Sequence, residues 1–160
     1  MKGLRVFAGL FSALLLLSGC SSRSYRSDRS AADLAAALCE AAAIRDPIAA
    51  GAEDLAPIPA SFGSAPEIAV CYAADSADLD EIGVWKAGEA DVRSVAVFLQ
   101  ARLAERFENN AAYYDTYMPE ETPKLRDAEV RVYGSYAVWA VLSPEAKSAC
   151  FRAAEKALTG

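Results

Sequence analysis

Apolar residues recur at helical spacing in three segments of the chain. The first helix is predicted at residues 31–44, where Ser30 or Asp33 could cap its start. The second is predicted from residue 91 to about residue 113, and its apolar stripe consists of Val92, Val95, Ala96, Leu99, Leu103 and Phe107. The third runs from Ser143-Pro144-Glu145 to about residue 158. Serine as N-cap, proline in the first turn and an acid near the N-terminus all favour a helix there.

Short runs of apolar residues, in the first of which large side chains alternate with small ones, predict four strands in two hairpins. The first hairpin comprises residues 67–73 and 79–87, and the second comprises residues 129–133 and 136–142. Gly134-Ser135 suits a two-residue type II′ turn. The last strand is apolar on both faces, which predicts an interior strand that is covered on both sides. Residues 49–66, rich in proline and glycine, are predicted to be irregular.

The predicted order is therefore helix, hairpin, helix, hairpin, helix. Hairpins pair antiparallel neighbours, so the sequence predicts an α+β domain with an antiparallel four-stranded sheet covered by helices. The domain would occupy residues 31–160, and a total length of 160 residues is typical of one compact domain.

The N-terminal residues have the pattern of an export signal. Lys2 and Arg5 are followed by an apolar run of 12 residues, 6–17, which is shorter than the ~20 residues that cross a bilayer. Residues 1–19 are therefore predicted to be a signal peptide.

The apolar run closes with Leu17-Ser18-Gly19-Cys20, which resembles the lipobox of bacterial lipoproteins. In those proteins the cysteine receives a diacylglyceryl group, and two acyl chains make the attachment stable. The resemblance implies a lipid anchor at Cys20. It places the protein on the extracytoplasmic face of the cell membrane, or at the outer membrane of a two-membrane envelope. An ordinary signal peptide with a chance cysteine is the alternative.

A serine-rich segment separates Cys20 from the predicted domain. Residues 20–30 are expected to form a flexible tether, because they contain little apolar surface to bury. Arg23, Arg26 and Arg29 could hold this tether against acidic lipid. A soluble linker with incidental charge is the interpretation that we prefer.

Composition excludes several classes of function. Lys and Arg total 16 against 22 Asp and Glu, and loss of Lys2 and Arg5 with the signal peptide would lower the net charge from −6 to −8. This balance argues against nucleic-acid binding, which needs clustered positive charge. The chain has no His, so His-based triads and His zinc ligands are excluded. No cofactor and no resident metal are predicted.

Cysteine and acidic residues offer two further candidates. If the three cysteines beyond Cys20 form one disulfide, we predict that it joins Cys39 to Cys150. Cys71 would then remain unpaired. Three buried thiols are the alternative. The turn at residues 75–81 contains three Asp and one Glu near one another and could bind Ca²⁺, but it lacks the glycine and spacing of an EF-hand. A solvated hairpin turn explains it better.

Two groups of aromatic residues are candidate binding surfaces. The first is a candidate partner surface made of Tyr113, Tyr114, Tyr117, Pro119, Glu120, Glu121 and Lys124. Its alternative is a helix end whose tyrosines pack over the core. The second is a candidate groove in which Trp85 and Trp139 share one sheet face with the small residues Gly83, Ala69, Cys71 and Ala73. Three helices are available to cover two faces, so burial of this face is the preferred alternative.

Several segments resemble a family of small bacterial lipoproteins that is classified only as a domain of unknown function. They are Glu81-Ile82-Gly83-Val84-Trp85-Lys86-Ala87, Leu103-Ala104-Glu105-Arg106, Tyr114-Asp115-Thr116-Tyr117-Met118-Pro119-Glu120-Glu121, Lys124-Leu125 with Ala128, and Tyr133-Gly134-Ser135-Tyr136. The resemblance covers residues 33–158. It implies a lipid-anchored, extracytoplasmic α+β domain, and it supplies no activity, ligand or catalytic residue.

Together these observations predict a non-enzymatic binding or interaction module at the membrane surface, whose partner is an envelope protein or a small ligand. The alternative is an accessory subunit or an enzyme that uses Glu120 and Glu121 with Lys124, although adjacent carboxylates rarely face each other. A structural envelope component is a third alternative.

Overall fold

A computed structural model describes residues 24–52, 58–62 and 66–159. The predicted signal peptide and the lipidation residue Cys20 lie outside the described residues. In chain order the elements are α1 (Ala31–Ala42), β1 (Pro47–Gly51), a 3₁₀ helix (Ala60–Phe62), β2 (Glu67–Ala73), β3 (Glu81–Lys86), α2 (Val92–Tyr117), α3 (Thr122–Arg126), β4 (Glu129–Tyr133), β5 (Tyr136–Val141) and α4 (Pro144–Leu158).

The strands form one antiparallel sheet with the order β1-β2-β3-β5-β4. The α+β class and the antiparallel sheet are thus confirmed, but the prediction of four strands is wrong. The fifth strand, β1, overlaps the start of the segment 49–66 that we expected to be irregular, and Ile48 pairs with Tyr72 along its register. Because β1 consists of proline, glycine and small residues around one isoleucine, its alternation is too weak to predict a strand. Pairing with β2 is what orders it.

The helices also differ from the predicted order. An additional short helix, α3, begins at Thr122 with Pro123 in its first turn. The long helix α2 continues to Tyr117, four residues beyond the predicted end, because Asn110 donates its side-chain amide to the Arg106 carbonyl (2.8 Å) and does not interrupt it. The predicted caps are confirmed at Ser30 and Ser143, whose hydroxyls accept backbone N–H groups.

Helices cover both faces of the sheet. One core lies between the sheet and α1 with α4, and the other lies between the sheet and α2 with α3. The interior strand β5 is buried along its whole length, as its two apolar faces predict. The apolar stripe of α2 is also confirmed, since Val92, Val95, Leu99 and Leu103 are buried against the second core.

The residues that precede α1 pack against one end of the sheet. The Tyr25 ring packs edge-on against Tyr133 with centroids 5.6 Å apart, and the Arg26 N–H donates to the Leu158 carbonyl (2.8 Å). Tyr136 donates its hydroxyl to the Arg29 carbonyl (2.8 Å). Part of the predicted tether therefore packs on the domain, beside the turn at Gly134. We call this the tether end.

The opposite end of the sheet carries the turn between β2 and β3. Glu81, at the start of β3, pairs with Val141, whereas Lys86, at its end, pairs with Tyr136. The turn at residues 74–80 and the turn at Gly134 are thus separated by the length of a six-residue strand, about 20 Å. We call the end with the turn at residues 74–80 the distal end.

Candidate functional site

A cleft of about 400 Å³ opens at the distal end, between the turn at residues 74–80 and the C-terminal part of α2. Aromatic and apolar side chains form part of its lining, namely Tyr72, Tyr113, Tyr114 and Met118. The charged residues of the lining are Asp75, Asp78, Asp80, Glu81 and Arg106. We call this cavity the distal cleft.

The tyrosines of the distal cleft come from two elements. Tyr72 ends the alternating face of β2 and is 38% exposed, beyond the cover of α2. On α2, the ring centroids of Tyr113 and Tyr114 are 5.7 Å apart, and those of Tyr113 and Tyr117 are 5.0 Å apart. Tyr114 and Met118 pack partly on the second core, whereas Tyr113 is 56% exposed. The cleft thus has a fixed inner wall and an accessible outer ring.

A cluster of charges underlies the acidic side of the cleft. The Lys124 Nζ lies 3.0 Å from Asp78, 2.7 Å from Asp80 and 2.7 Å from Glu121. The Glu121 carboxylate also accepts the Leu79 N–H (2.9 Å). These contacts tie α3 to the turn between β2 and β3. We call these four side chains the Lys124 cluster.

The contacts in the Lys124 cluster shift the pKa values of Lys124, Asp78 and Asp80. Burial works to lower the pKa of Lys124, but the three carboxylates outweigh burial and the pKa is raised. Burial works to raise the pKa of Asp78, but the Asp80 N–H and the Lys124 ammonium outweigh it, so that pKa is lowered. Burial raises the pKa of Asp80 despite Lys124. The buried Asp80 Oδ1 has the ammonium close by at an angle that does not make a hydrogen bond.

Three carboxylates of the cluster have the arrangement of a cation site. One oxygen each of Asp78, Asp80 and Glu121 lies within 4.8 Å of the others. The Lys124 ammonium already lies among these oxygens, so a divalent cation would have to displace it. Within the turn, Asp75 and Asp78 accept the N–H groups of Ala77 and Asp80 (2.9 and 3.0 Å). The turn is thus stabilised by its own backbone and by Lys124.

A second ion pair joins α2 to the sheet beside the cleft. Arg106 donates to Glu81 (2.7 Å), and the other oxygen of that carboxylate accepts the Trp139 indole N–H (2.8 Å). Segments that are distant in sequence therefore meet at the distal end. They are the segments around Glu81, Arg106, Tyr114 and Lys124, all of which belong to the motifs that carry the resemblance.

The structure divides the candidate partner surface into two parts. Tyr113, Tyr117, Pro119 and Glu120 are exposed. Tyr114 is half-buried, and Glu121 and Lys124 belong to the Lys124 cluster. Glu120 is exposed while Glu121 is engaged with Lys124, so the two glutamates do not face a common point.

The two indoles of the candidate groove are buried under α2. Trp85 and Trp139 are 2% and 3% exposed, and both line a small cavity of about 240 Å³ beside Leu99. The expectation that Ala69, Cys71 and Ala73 share their face is wrong. Trp85 pairs with Ile68, so both lie on the α2 side, whereas the three small residues face α1.

The cysteines pair differently from our expectation. Cys39 in α1 is joined to Cys71 in β2, and Cys150 is a free thiol. Cys39 and Cys150 both lie in the first core, but α1 packs directly over β2, which places Cys71 within disulfide distance of Cys39, with Cα atoms 6.3 Å apart. Burial raises the pKa of Cys150 to about 12, so this thiol is unreactive at neutral pH.

A cavity larger than the distal cleft lies elsewhere, between α1 and β1. It measures about 780 Å³ and is lined mainly by alanines and by the Cys39–Cys71 disulfide. Its lining contains Glu40 and Arg45 as charged residues, and these lie on either side of the end of α1. Its alanines offer little to orient a ligand, so we regard the distal cleft as the better candidate site.

Sequence reasoning did not assign Tyr72, Arg106 or Met118 to a site. Tyr72 belongs to the first predicted hairpin, on the same face as Ile68 and Val70, and its place at the end of the strand beside a polar turn is the signal that could have indicated exposure. Arg106 and Met118 carry no such signal, because only the packing of α2 on β3 brings them to the turn.

In the regions that the structure describes, no helix has both the length and the apolarity needed to cross a membrane. No curated protein and no solved structure gives a significant match to the chain. Residues 65–142, which span β2 to β5, match the model of the family described as "Domain of unknown function (DUF4358)". The lipoprotein character implied by the resemblance stays a prediction. The expected similarity itself is confirmed: over residues 65–142 this chain is similar to DUF4358, a family defined only as a domain of unknown function.

Proposed function

We propose that this protein is a non-enzymatic binding module, held by a lipid anchor at Cys20 on the extracytoplasmic face of a membrane, and that the distal cleft is its binding site. The observation that carries the proposal is the position of the cleft at the end of the sheet opposite the tether. Tyr25 packs at one end of the domain, and Tyr113 opens to solvent at the other.

This arrangement supports binding of a ligand that approaches from the solvent side. Four residues lie between Cys20 and Tyr25, the first described residue whose packing on the domain is seen, so the anchor would hold the tether end close to the bilayer. The distal cleft would then face away from the lipid. Exposed tyrosines combine a large contact area with a hydroxyl, which makes them frequent components of binding surfaces.

The charges of the site support binding rather than acid/base chemistry. An acid/base pair needs two groups that face a common substrate with separated pKa values. Here Asp78, Asp80 and Glu121 share one ammonium, and Glu81 is shared between Arg106 and Trp139. These carboxylates hold the walls of the cleft in place.

The anchor and its direction can be tested separately from ligand binding. Palmitate should label the wild-type protein and not Cys20→Ser; equal labelling would remove the anchor from the proposal. For direction, a fluorophore is attached at position 28 (Asp28→Cys) or position 75 (Asp75→Cys) of the processed protein in vesicles that contain an acceptor headgroup lipid. Energy transfer should be much stronger from position 28 than from position 75. Equal transfer would refute the orientation.

The site itself can be tested by photo-crosslinking in intact membranes. A photoreactive phenylalanine derivative replaces Tyr113 in the cleft or Val97, which is 71% exposed on the same helix and outside the cleft. We expect mass-resolved adducts, either of a small molecule or of a protein, at position 113 and few at position 97. Equal adduct yields at both positions would refute the distal cleft as the binding site.

A further inference from the structure

We propose that the distal cleft binds an organic cation, a ligand with an alkylammonium group. This inference names the ligand class of the proposed binding function and therefore rests on it. It depends on three features of the cleft, which are its aromatic wall, its charge balance and its size.

The aromatic wall is the first feature that suits a cation. Tyr72 from β2 and Tyr113 and Tyr114 from α2 line one cavity from two sides. The Tyr113 and Tyr114 rings are inclined at 73° to each other, so they form two differently oriented walls. The faces of aromatic rings carry negative electrostatic potential, and cages of such rings bind alkylammonium groups. The Met118 side chain adds a soft, apolar contact that suits the methylene or methyl groups next to the charge.

The charge balance of the cleft is negative. Four carboxylates line it, from Asp75, Asp78, Asp80 and Glu81, against one guanidinium, that of Arg106. Outside the lining, Lys124 and Arg45 contact Asp78 and offset part of this charge. Asp75 is exposed, and no cationic side chain of the described residues pairs with it. An anionic ligand would meet net repulsion, whereas a cation would be attracted.

The protein already places an ammonium in this environment. The Lys124 Nζ contacts three carboxylates at 2.7 to 3.0 Å directly beneath the cleft. A volume of about 400 Å³ corresponds to roughly a dozen water molecules, which suits a small ligand and not a folded chain. The cleft therefore combines tyrosine faces, excess negative charge and room for a small amine.

The test uses the processed lipoprotein in maltoside micelles. Met118 and Met1 are the two methionines, and Met1 leaves with the signal peptide, so an isotope-labelled methionine methyl signal reports on the cleft alone. Met118→Leu verifies the assignment. The signal is followed during titration with choline chloride and, in parallel, with dimethylbutanol, which has the shape of choline without its charge. We expect saturable shifts with choline, weakened by added NaCl, and no saturation with dimethylbutanol.

Variants separate the aromatic and the electrostatic contributions. Tyr113→Leu should weaken choline binding about fivefold, and Asp75→Asn, which keeps the oxygen that accepts the Ala77 N–H, should weaken it two- to fivefold. The matched controls, Tyr117→Leu and Asp115→Asn, alter an exposed tyrosine and an exposed acid outside the lining and should change binding less than twofold.

The outcomes distinguish this inference from the proposed function. Equal binding of choline and dimethylbutanol, or no binding of either, overturns the cation inference, while adducts at position 113 would still support the binding module. Nanodiscs of phosphatidylcholine, compared with phosphatidylglycerol, test the source of the ammonium. A Met118 shift with free choline and none with either lipid supports a soluble ligand. If the Met118 signal shifts with phosphatidylcholine but not with free choline, a soluble ligand is refuted.

Discussion

Replacing Lys124 by methionine should destabilise the protein more than any other removal of a single surface cation. Methionine keeps the length of the aliphatic side chain and removes the ammonium, so the change isolates the charge. In the wild type, Lys124 contacts Asp78, Asp80 and Glu121, whose side chains are 7%, 18% and 20% exposed. The variant leaves these three carboxylates close together without their shared counterion.

The magnitude follows from distance and burial. At an effective dielectric constant of about 20, two unit charges ~4 Å apart interact by about 4 kcal/mol, and desolvation of the partners offsets much of this in the wild type. Removing one partner of a buried pair typically costs about 3–5 kcal/mol. Because the cluster is partly exposed, we expect a loss of about 2–3 kcal/mol in the free energy of unfolding at pH 7.

The pH dependence gives the prediction a distinctive sign. The raised pKa of Lys124 stabilises the wild type fully below the ordinary value of 10.5, and that contribution is lost as the pH rises through the raised value. Lys124→Met should lack this alkaline loss. Without the ammonium, the negative charges of Asp78 and Glu121 raise the pKa of Asp80 unopposed, so the variant should gain stability as the pH falls from 7 to about 4.5.

The assay is urea denaturation followed by the fluorescence of the buried Trp85 and Trp139 at several pH values. Lys156→Met is the matched control, because Lys156 is exposed on α4 and its removal should change stability by about 0.5 kcal/mol or less. If Lys124→Met costs no more than Lys156→Met, or loses stability at acid pH, the Lys124 cluster does not hold α3 to the turn as we argue.

Three further predictions concern the core and the tether end. Gly83→Ala should lower the free energy of unfolding by about 2–3 kcal/mol in urea denaturation, because the Trp139 ring lies directly over Gly83. The control Gly88→Ala, whose added methyl group would make ordinary contact with Asp91, should be nearly neutral, and similar losses in both variants would contradict this packing. A non-reducing peptide map should link Cys39 to Cys71, and their double alanine variant should lose about 4 kcal/mol for a loop with a sequence separation of 32; a Cys39–Cys150 peptide would refute the pairing. Tyr25→Ala should cost about 1–2 kcal/mol through its contact with Tyr133, and a cost no larger than that of the exposed control Tyr117→Ala would show that Tyr25 does not dock.

Elements with strong periodicity were predictable from the sequence. The stripe of α2, the alternation of β2 and the caps at Ser30 and Ser143 depend on local patterns, and the structure confirms them. The strand β1 was not predictable, because its small residues form a strand only through hydrogen bonds to β2. The helix α3 was missed for a similar reason. Its five residues are too few to show a period, and its position depends on Leu125 in the core and on Lys124 in its cluster.

The candidate site was only half predictable. The Tyr-rich end of α2 and the acidic turn were each identified from composition, but as separate candidates with separate explanations. The tyrosines and the acidic turn come together through the antiparallel pairing of β2 with β3 and through the packing of α2 across the sheet. Both are long-range contacts. The same contacts give Glu121 and Lys124 a role different from the predicted one. These residues were predicted as a partner surface, and the structure places them beneath the cleft as support.

The height of the cleft above a membrane constrains its ligand. If Cys20 is lipidated, it lies five residues along the chain from Tyr25, the first described residue whose packing on the domain is seen, and a fully extended segment of that length spans at most about 18 Å. The sheet adds about 20 Å between the tether end and the distal cleft. Headgroups of the same leaflet would thus lie at least the length of the sheet away from Tyr113 whenever the domain stands on its tether end. In that orientation we expect a cation that occupies the cleft to come from solution or from a partner that approaches from outside, and not from the lipid under the anchor.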